Sequence, residues 1–123
     1  MFEPYTSERA ELGVVKVELD VISSIVSMAA AEVPGVAGLV EDLAGLISRG
    51  IWGGGKGVRV ELRRDRVFAE VSIAVEYGAE IRDVGFRVQE HVRDVLEKMT
   101  GLEVGGVVVN VKGVRKKEGK EDG

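Results

Sequence analysis

The sequence holds no cysteine, two prolines, one tryptophan and one histidine among its 123 residues. Without cysteine there are no disulfides, no thiolate nucleophile and no Cys-ligated metal, which suits a cytoplasmic address without proving one. The lone histidine, His91, leaves no second imidazole for a metal site. Only a carboxylate cluster suited to calcium or magnesium would remain. Long hydrophobic runs are missing too. The longest uncharged stretch is Val21 to Ala31, far short of the ~20 apolar residues a spanning helix needs. The first residues, Met1-Phe2-Glu3-Pro4-Tyr5, show neither a basic n-region nor an apolar h-region, so no signal peptide is expected. Any membrane contact is then expected from outside, by surface binding or through a partner. Positive charge is also in deficit. A net charge of -4 argues against a chain built mainly to hold nucleic acid.

What is present is an ordinary globular mix, 45% hydrophobic and 31% charged. The length suits one domain that buries roughly two-thirds of its unfolded surface. The organising stretch runs from Val67 to Met99. Val67, Ala69, Val71, Ile73, Val75 and Tyr77 alternate as in a strand with one buried face. After Gly78 the period changes. Ile81, Val84, Gly85, Val88, Val92, Val95, Leu96 and Met99 mark the apolar stripe of a helix, with Gly101 as its C-terminal cap. Arg93–Glu97 and Asp94–Lys98 have the spacing of ion pairs on its polar side.

Upstream, Leu12 to Val17 reads as a strand, and Val21 to Glu32 as a helix capped by Asp20 and ended by Pro34. Leu39 to Ile51 is a weaker helical pattern, followed by the glycine-rich loop Gly50–Gly57. Val58 to Arg63 alternates as a strand, and Arg64-Asp65 turns it into the next one. A last strand spans Val104 to Val111, and the chain becomes charged from Lys112 onward. The expected fold is α/β (α+β): a single two-layer domain of order βα(α)ββαβ, one sheet with two main helices on one face. Residues 1–11 form an N-terminal extension, 12–114 the domain and 115–123 a charged disordered tail.

No segment carries convincing reaction chemistry. Gly50, Gly55 and Lys56 match GxxxxGK, but Gly57 stands where Ser or Thr must reach magnesium, and the loop opens a strand instead of a helix. Gly54–Gly57 is similar to an RNA-clamping GxxG loop, yet such a loop joins two helices in a basic groove. Together with the basic residues of the tail (Lys112, Arg115, Lys116, Lys117, Lys120), it defines the alternative function, a small RNA-binding module. His91, Glu90 and Asp94 read as a solvated helix surface. Trp52 either anchors a partner or folds back over the core edge, and the burial tendency of large aromatics favours the latter. No catalytic, cofactor or metal residue is assigned.

The uncharged first helix suggests self-association. Opposite its Ile22–Ile25–Val26–Ala29 stripe lie Ser23, Ser27, Ala30 and Ala31, all small enough to let a second backbone approach. The rival reading covers this face with the Leu39–Ile51 segment of the same chain. The candidate interaction surface is therefore Ser23, Ser27, Ala30 and Ala31, with Trp52 beside them in the assignment.

Several segments together resemble the alkaline shock protein family of Gram-positive bacteria. They are Gly13-Val14-Val15-Lys16-Val17, Ala30-Ala31-Glu32-Val33-Pro34-Gly35-Val36 and Lys56-Gly57-Val58. Val75-Glu76-Tyr77-Gly78, Gln89-Glu90-His91-Val92 and Met99-Thr100-Gly101-Leu102, leading to Val109-Asn110-Val111, complete the set. The resemblance implies a non-enzymatic cytoplasmic stress-response protein without cofactor or small-molecule substrate. It would act as a scaffold for the cell envelope, docking on a membrane-anchored protein, so that it meets the membrane only indirectly. The glycine-rich loop and the short mixed tail depart from the family pattern.

Overall fold

The computed structural model describes residues 5–9, 12–41 and 57–116. Its elements are β1 (Tyr5–Arg9), β2 (Gly13–Val17), α1 (Leu19–Glu32), β3 (Val36–Leu39), β4 (Val58–Arg63), β5 (Arg66–Glu76), α2 (Ile81–Thr100) and β6 (Glu103–Arg115). The chain folds as a single α+β domain. β5 is its central strand, and the alternation read from sequence places Val67, Ala69, Val71, Ile73 and Val75 in the core. Ile22, Ile25, Val26 and Ala29 of α1 and Val84, Val88, Val92 and Leu96 of α2 join them from one side of the sheet. Two helical stripes and one strand face thus bury each other, as the two-layer rule demands.

β6 runs parallel to β5 along its whole length, from Arg66↔Glu103 to Glu76↔Arg115. A parallel neighbour needs a crossover, and α2 supplies it. The opposite flank of β5 is shared by β3 (Val36↔Val75, Leu39↔Ile73) and β4 (Val58↔Val71 to Arg63↔Arg66), both antiparallel. At the junction the Ser72 carbonyl accepts from Val40 N–H (2.9 Å) and Ser72 N–H donates to the Gly57 carbonyl (2.8 Å). β3 and β4 are therefore two halves of one strand position which, among the described residues, forms an edge of the sheet; they meet at Ser72.

Several expectations need correction. Leu39 belongs to β3, where pairing with β5 overrides its helical spacing; the rest of the expected Leu39–Ile51 helix lies outside the described residues, apart from Val40 and Glu41. α1 begins earlier than expected. Glu18 is its N-cap, its carbonyl accepting from Val21 and Ile22, while Asp20 sits in the first turn. Tyr77 lies past the end of β5, exposed in the following turn. β6 continues beyond Val111 to Arg115, because β5 still offers a partner as far as Glu76. Tyr5–Arg9 and Gly13–Val17 pair with each other in a separate two-stranded ribbon, Tyr5↔Val17 to Arg9↔Gly13. The Arg64-Asp65 turn stands as expected, both residues having the positive φ that a tight hairpin demands. Gly101 caps α2 in the left-handed conformation, its N–H bonded to the Glu97 carbonyl.

Candidate interaction surfaces

The small residues of α1 divide between two environments. Ser23 and Ala30 are 4% and 0% exposed, while Ser27 is half-buried and Ala31 is exposed. Trp52 lies outside the described residues, as do Gly50–Gly55 and Lys56. α1 packs against α2, and at its end Glu32 Oε1 lies 2.7 Å from His91 Nε2. His91 is thus an interhelical partner, not a purely solvated side chain. The open face of α1 is instead Val21, Ser24, Met28 and Ala31, at spacings of three, four and three. Val21 is 48% and Met28 65% exposed. Sequence reasoning missed these two because an apolar helical residue reads as core. A three-turn helix stripe with no charge is unusual for a wet surface.

The second surface is the outer edge of β6. Among the described residues β6 has no strand neighbour except β5. Side chains of α2 occupy the first part of this edge. Glu97 Oε2 accepts from Val104 N–H (3.2 Å), and Gln89 Nε2 donates to the Val107 carbonyl (3.0 Å). The expected Arg93–Glu97 pair gives way to this contact; Arg93 lies near Asp94 instead. Between the two elements runs a groove of about 500 Å³, lined by Phe86, Gln89, Glu90 and Arg93 of α2 and Val104–Val107 of β6.

The helix-free face of the sheet carries a polar network centred on Glu70. Glu70 bridges three strands, accepting from Arg59 on β4 and from Asn110 on β6, each at 2.7 Å. Nearby, the Arg63 guanidinium stacks 4.1 Å above the Phe68 ring. That ring lies over Gly105, where an added Cβ would overlap it. Gly105→Ala should therefore push the ring off its seat and cost about 1–2 kcal/mol. Urea unfolding in wild-type and Phe68→Leu backgrounds checks this, since the penalty should shrink once the ring is gone.

Among the described residues no cluster of three or more His, Asp and Glu side chains is placed to hold a metal ion. Nor is any described helix long and apolar enough to cross a membrane. The carboxylates that do have partners meet arginines, His91, Asn110 or a backbone amide. These are contacts that hold elements together.

A profile of the alkaline shock protein family, described as having a "cell envelope-related function", matches residues 7–116. The chain belongs to this family. The match confirms the resemblance drawn from the sequence segments. Within the family, the chain is 36% identical over 110 residues to Bacillus subtilis YqhY, covering 88% of this chain and 82% of that protein. It is 26% identical over 113 residues to B. subtilis YloU, covering 87% and 92%. Both relatives are described as uncharacterized. Two solved MamM-CTD variants share the fold, with a TM-score of 0.50 each. They are 14% and 16% identical, and each match covers 78% of this chain and 98% of the other. At that identity the likeness concerns the fold alone.

Proposed function

We propose that this member of the alkaline shock protein family is a non-catalytic scaffold of the cell envelope. It assembles with copies of itself in the cytoplasm and docks on a membrane-anchored protein at the inner face of the membrane. The observation that carries this reading is the uncharged open stripe of α1. Val21, Ser24, Met28 and Ala31 present apolar and small side chains to solvent across three turns, where a helix with one wet face carries charge. The family's envelope-related description supports the same reading.

The stripe also relocates the expected contact. Ser27 and Ala31 remain available to a second copy, whereas Ser23 and Ala30 are already buried within the chain. The test is light scattering on wild type and Met28→Glu, with circular dichroism to establish folding. Wild type should form oligomers that the variant dissociates into folded monomers, because a carboxylate at the centre of an apolar seam loses its water. A wild type that stays monomeric at high concentration overturns self-association. The docking half is read from anionic liposomes at physiological salt. They should leave the purified protein in solution, since membrane attachment runs through a protein and not through lipid.

A further inference from the structure

We propose that the middle of the free β6 edge pairs with the same stretch of a second copy, antiparallel about a two-fold axis at Val109. The inference deepens the scaffold reading, on which it rests, by adding a second surface through which copies of this chain meet.

Two bulges mark out the stretch. The register with β5 shifts between Val104 and Gly106 and again between Val111 and Gly113, and is regular in between. The Val107 carbonyl faces outward, where Gln89 reaches it. Backbone groups alternate in direction along a strand, so Val109 and Val111 face outward as well. Val109 is the middle one of the three. An antiparallel copy centred there sets Val109 against its own mate and Val107 against Val111. Each outward N–H then meets an outward C=O of the same stretch, and the Val107 carbonyl can accept a second bond beside Gln89. Glu97, on the Val104 amide, lies beyond the paired residues and keeps its place.

The flanking helix complements itself about the same axis. Gln89 is level with Val107 and Glu97 with Val104, so α2 runs antiparallel to β6. At rises of about 1.5 Å per helical residue and about 3.3 Å per strand residue, Phe86 falls near Val108 and Arg82 near Asn110. A two-fold at Val109 therefore brings Phe86, which is 60% exposed, against its own mate. It also sets Glu90 beside the second copy's Arg82. Among the described residues neither Glu90 nor Arg82 has an ion pair within the chain, whereas Arg93 already lies near Asp94. Layer spacing agrees with this arrangement. Two strand widths separate α2 from its mate over the joined sheet, about 10 Å, which is the separation of packed helices. Val111, 38% exposed on the helix side, is then covered by the second copy's Val107.

Lys112 does not oppose this register. A lysine on an edge strand blocks identical edges where it meets its own mate. Here it lies past Val111, opposite Gly106, and about 20 Å from that mate. A short pairing with one aromatic contact is a small interface, with a dissociation constant on the order of 0.1–1 mM. Light scattering at micromolar concentration therefore still reads Met28→Glu as monomeric.

The test is a dilution series of the full chain carrying Met28→Glu, read by amide NMR from about 2 mM to about 0.05 mM, either side of that constant. Val109, Val111 and Phe86 should shift together along one dimerisation curve. Arg82→Glu and Glu90→Arg, added singly at these exposed helix positions, should each weaken pairing at least about tenfold by setting like charges together twice. Mixing the two variants should restore the shifts, because each then meets its opposite. Only pairing between copies gives that recovery. Should Met28→Glu fail to fold, hydrogen exchange on the wild type reads the same amides. Val109 and Val111 are then protected at high concentration, released by either charge variant, and protected again in the mixture. Shifts or protection that are absent, that map away from β6 or that ignore both charge variants overturn the proposal, as does a mixture that does not recover. If Met28→Glu dissolves wild-type oligomers while the β6 amides stay silent, the edge contact falls and the scaffold reading stands. If the wild type scatters as a monomer, the α1 assembly falls, and the edge contact is judged by its own shifts.

Discussion

Gly57→Ala should lower the stability of the domain by about 2–4 kcal/mol. Gly57 is where the chain re-enters the sheet edge after residues 41–56. Its φ of +71° already disfavours any side chain. A Cβ there would also sit 2.9 Å from the Val40 carbonyl oxygen and 3.2 Å from both Leu39 Cβ and the Ser72 carbonyl oxygen. Those carbonyls cannot swing aside as a flexible side chain could. The Val40 oxygen lies where the first half-strand ends, and Ser72 holds both halves together. Gly78→Ala is the matched control. Its φ is +97°, but nothing lies within 4 Å of the added carbon, so it carries the backbone strain without the collision. Thermal unfolding should place Gly57→Ala lower in Tm by several degrees, at about 4 °C per kcal/mol for a domain of this size. Equal losses in the two variants would mean that the crossing has room to relax.

That split strand is also where sequence reading fell short. β5 and α2 are legible because each carries a long, clean period, and a period of two or of 3.6 survives without knowledge of the neighbours. β3 has only four residues, one of them Gly38, and the Leu39–Leu43–Leu46 spacing that follows it is helical. What makes Val36–Leu39 a strand is the free flank of β5, a tertiary fact. The same holds for the far end of β6, where Lys112 and Gly113 look like the start of a tail. They are held in the sheet because Ala74 to Glu76 still need a partner. β1 carries no alternating apolar pattern in Tyr5-Thr6-Ser7-Glu8-Arg9, so nothing in its sequence announced pairing with β2. The candidate surface was half legible. A helix without charge signals two covered faces, but a helical wheel cannot say which small residues α2 has already taken.

Ser23→Glu should be the most damaging single change on α1, costing about 3–5 kcal/mol. Ser23 is 4% exposed between the fully buried Ile22 and the buried Ile25 and Val26, so a carboxylate there must lose its hydration or prise the helix away. Burial raises the pKa of such a group in the folded state above its unfolded value of about 4.3. The sign follows: the penalty is complete above the folded pKa and fades as pH falls toward the unfolded one. Urea unfolding of wild type and variant should therefore show a gap at pH 7 that narrows toward pH 4. Met28→Glu, on the opposite side of the same helix, should leave monomer stability within about 0.5 kcal/mol of wild type at either pH. Its effect should appear only in assembly. The two substitutions thus separate the faces of α1 by different readouts. If Ser23→Glu instead yields stable folded monomers, Ser23 faces another subunit and the packing of α1 on α2 must open to expose it. If Met28→Glu unfolds the protein, the open stripe is core, and self-association loses the surface on which it rests.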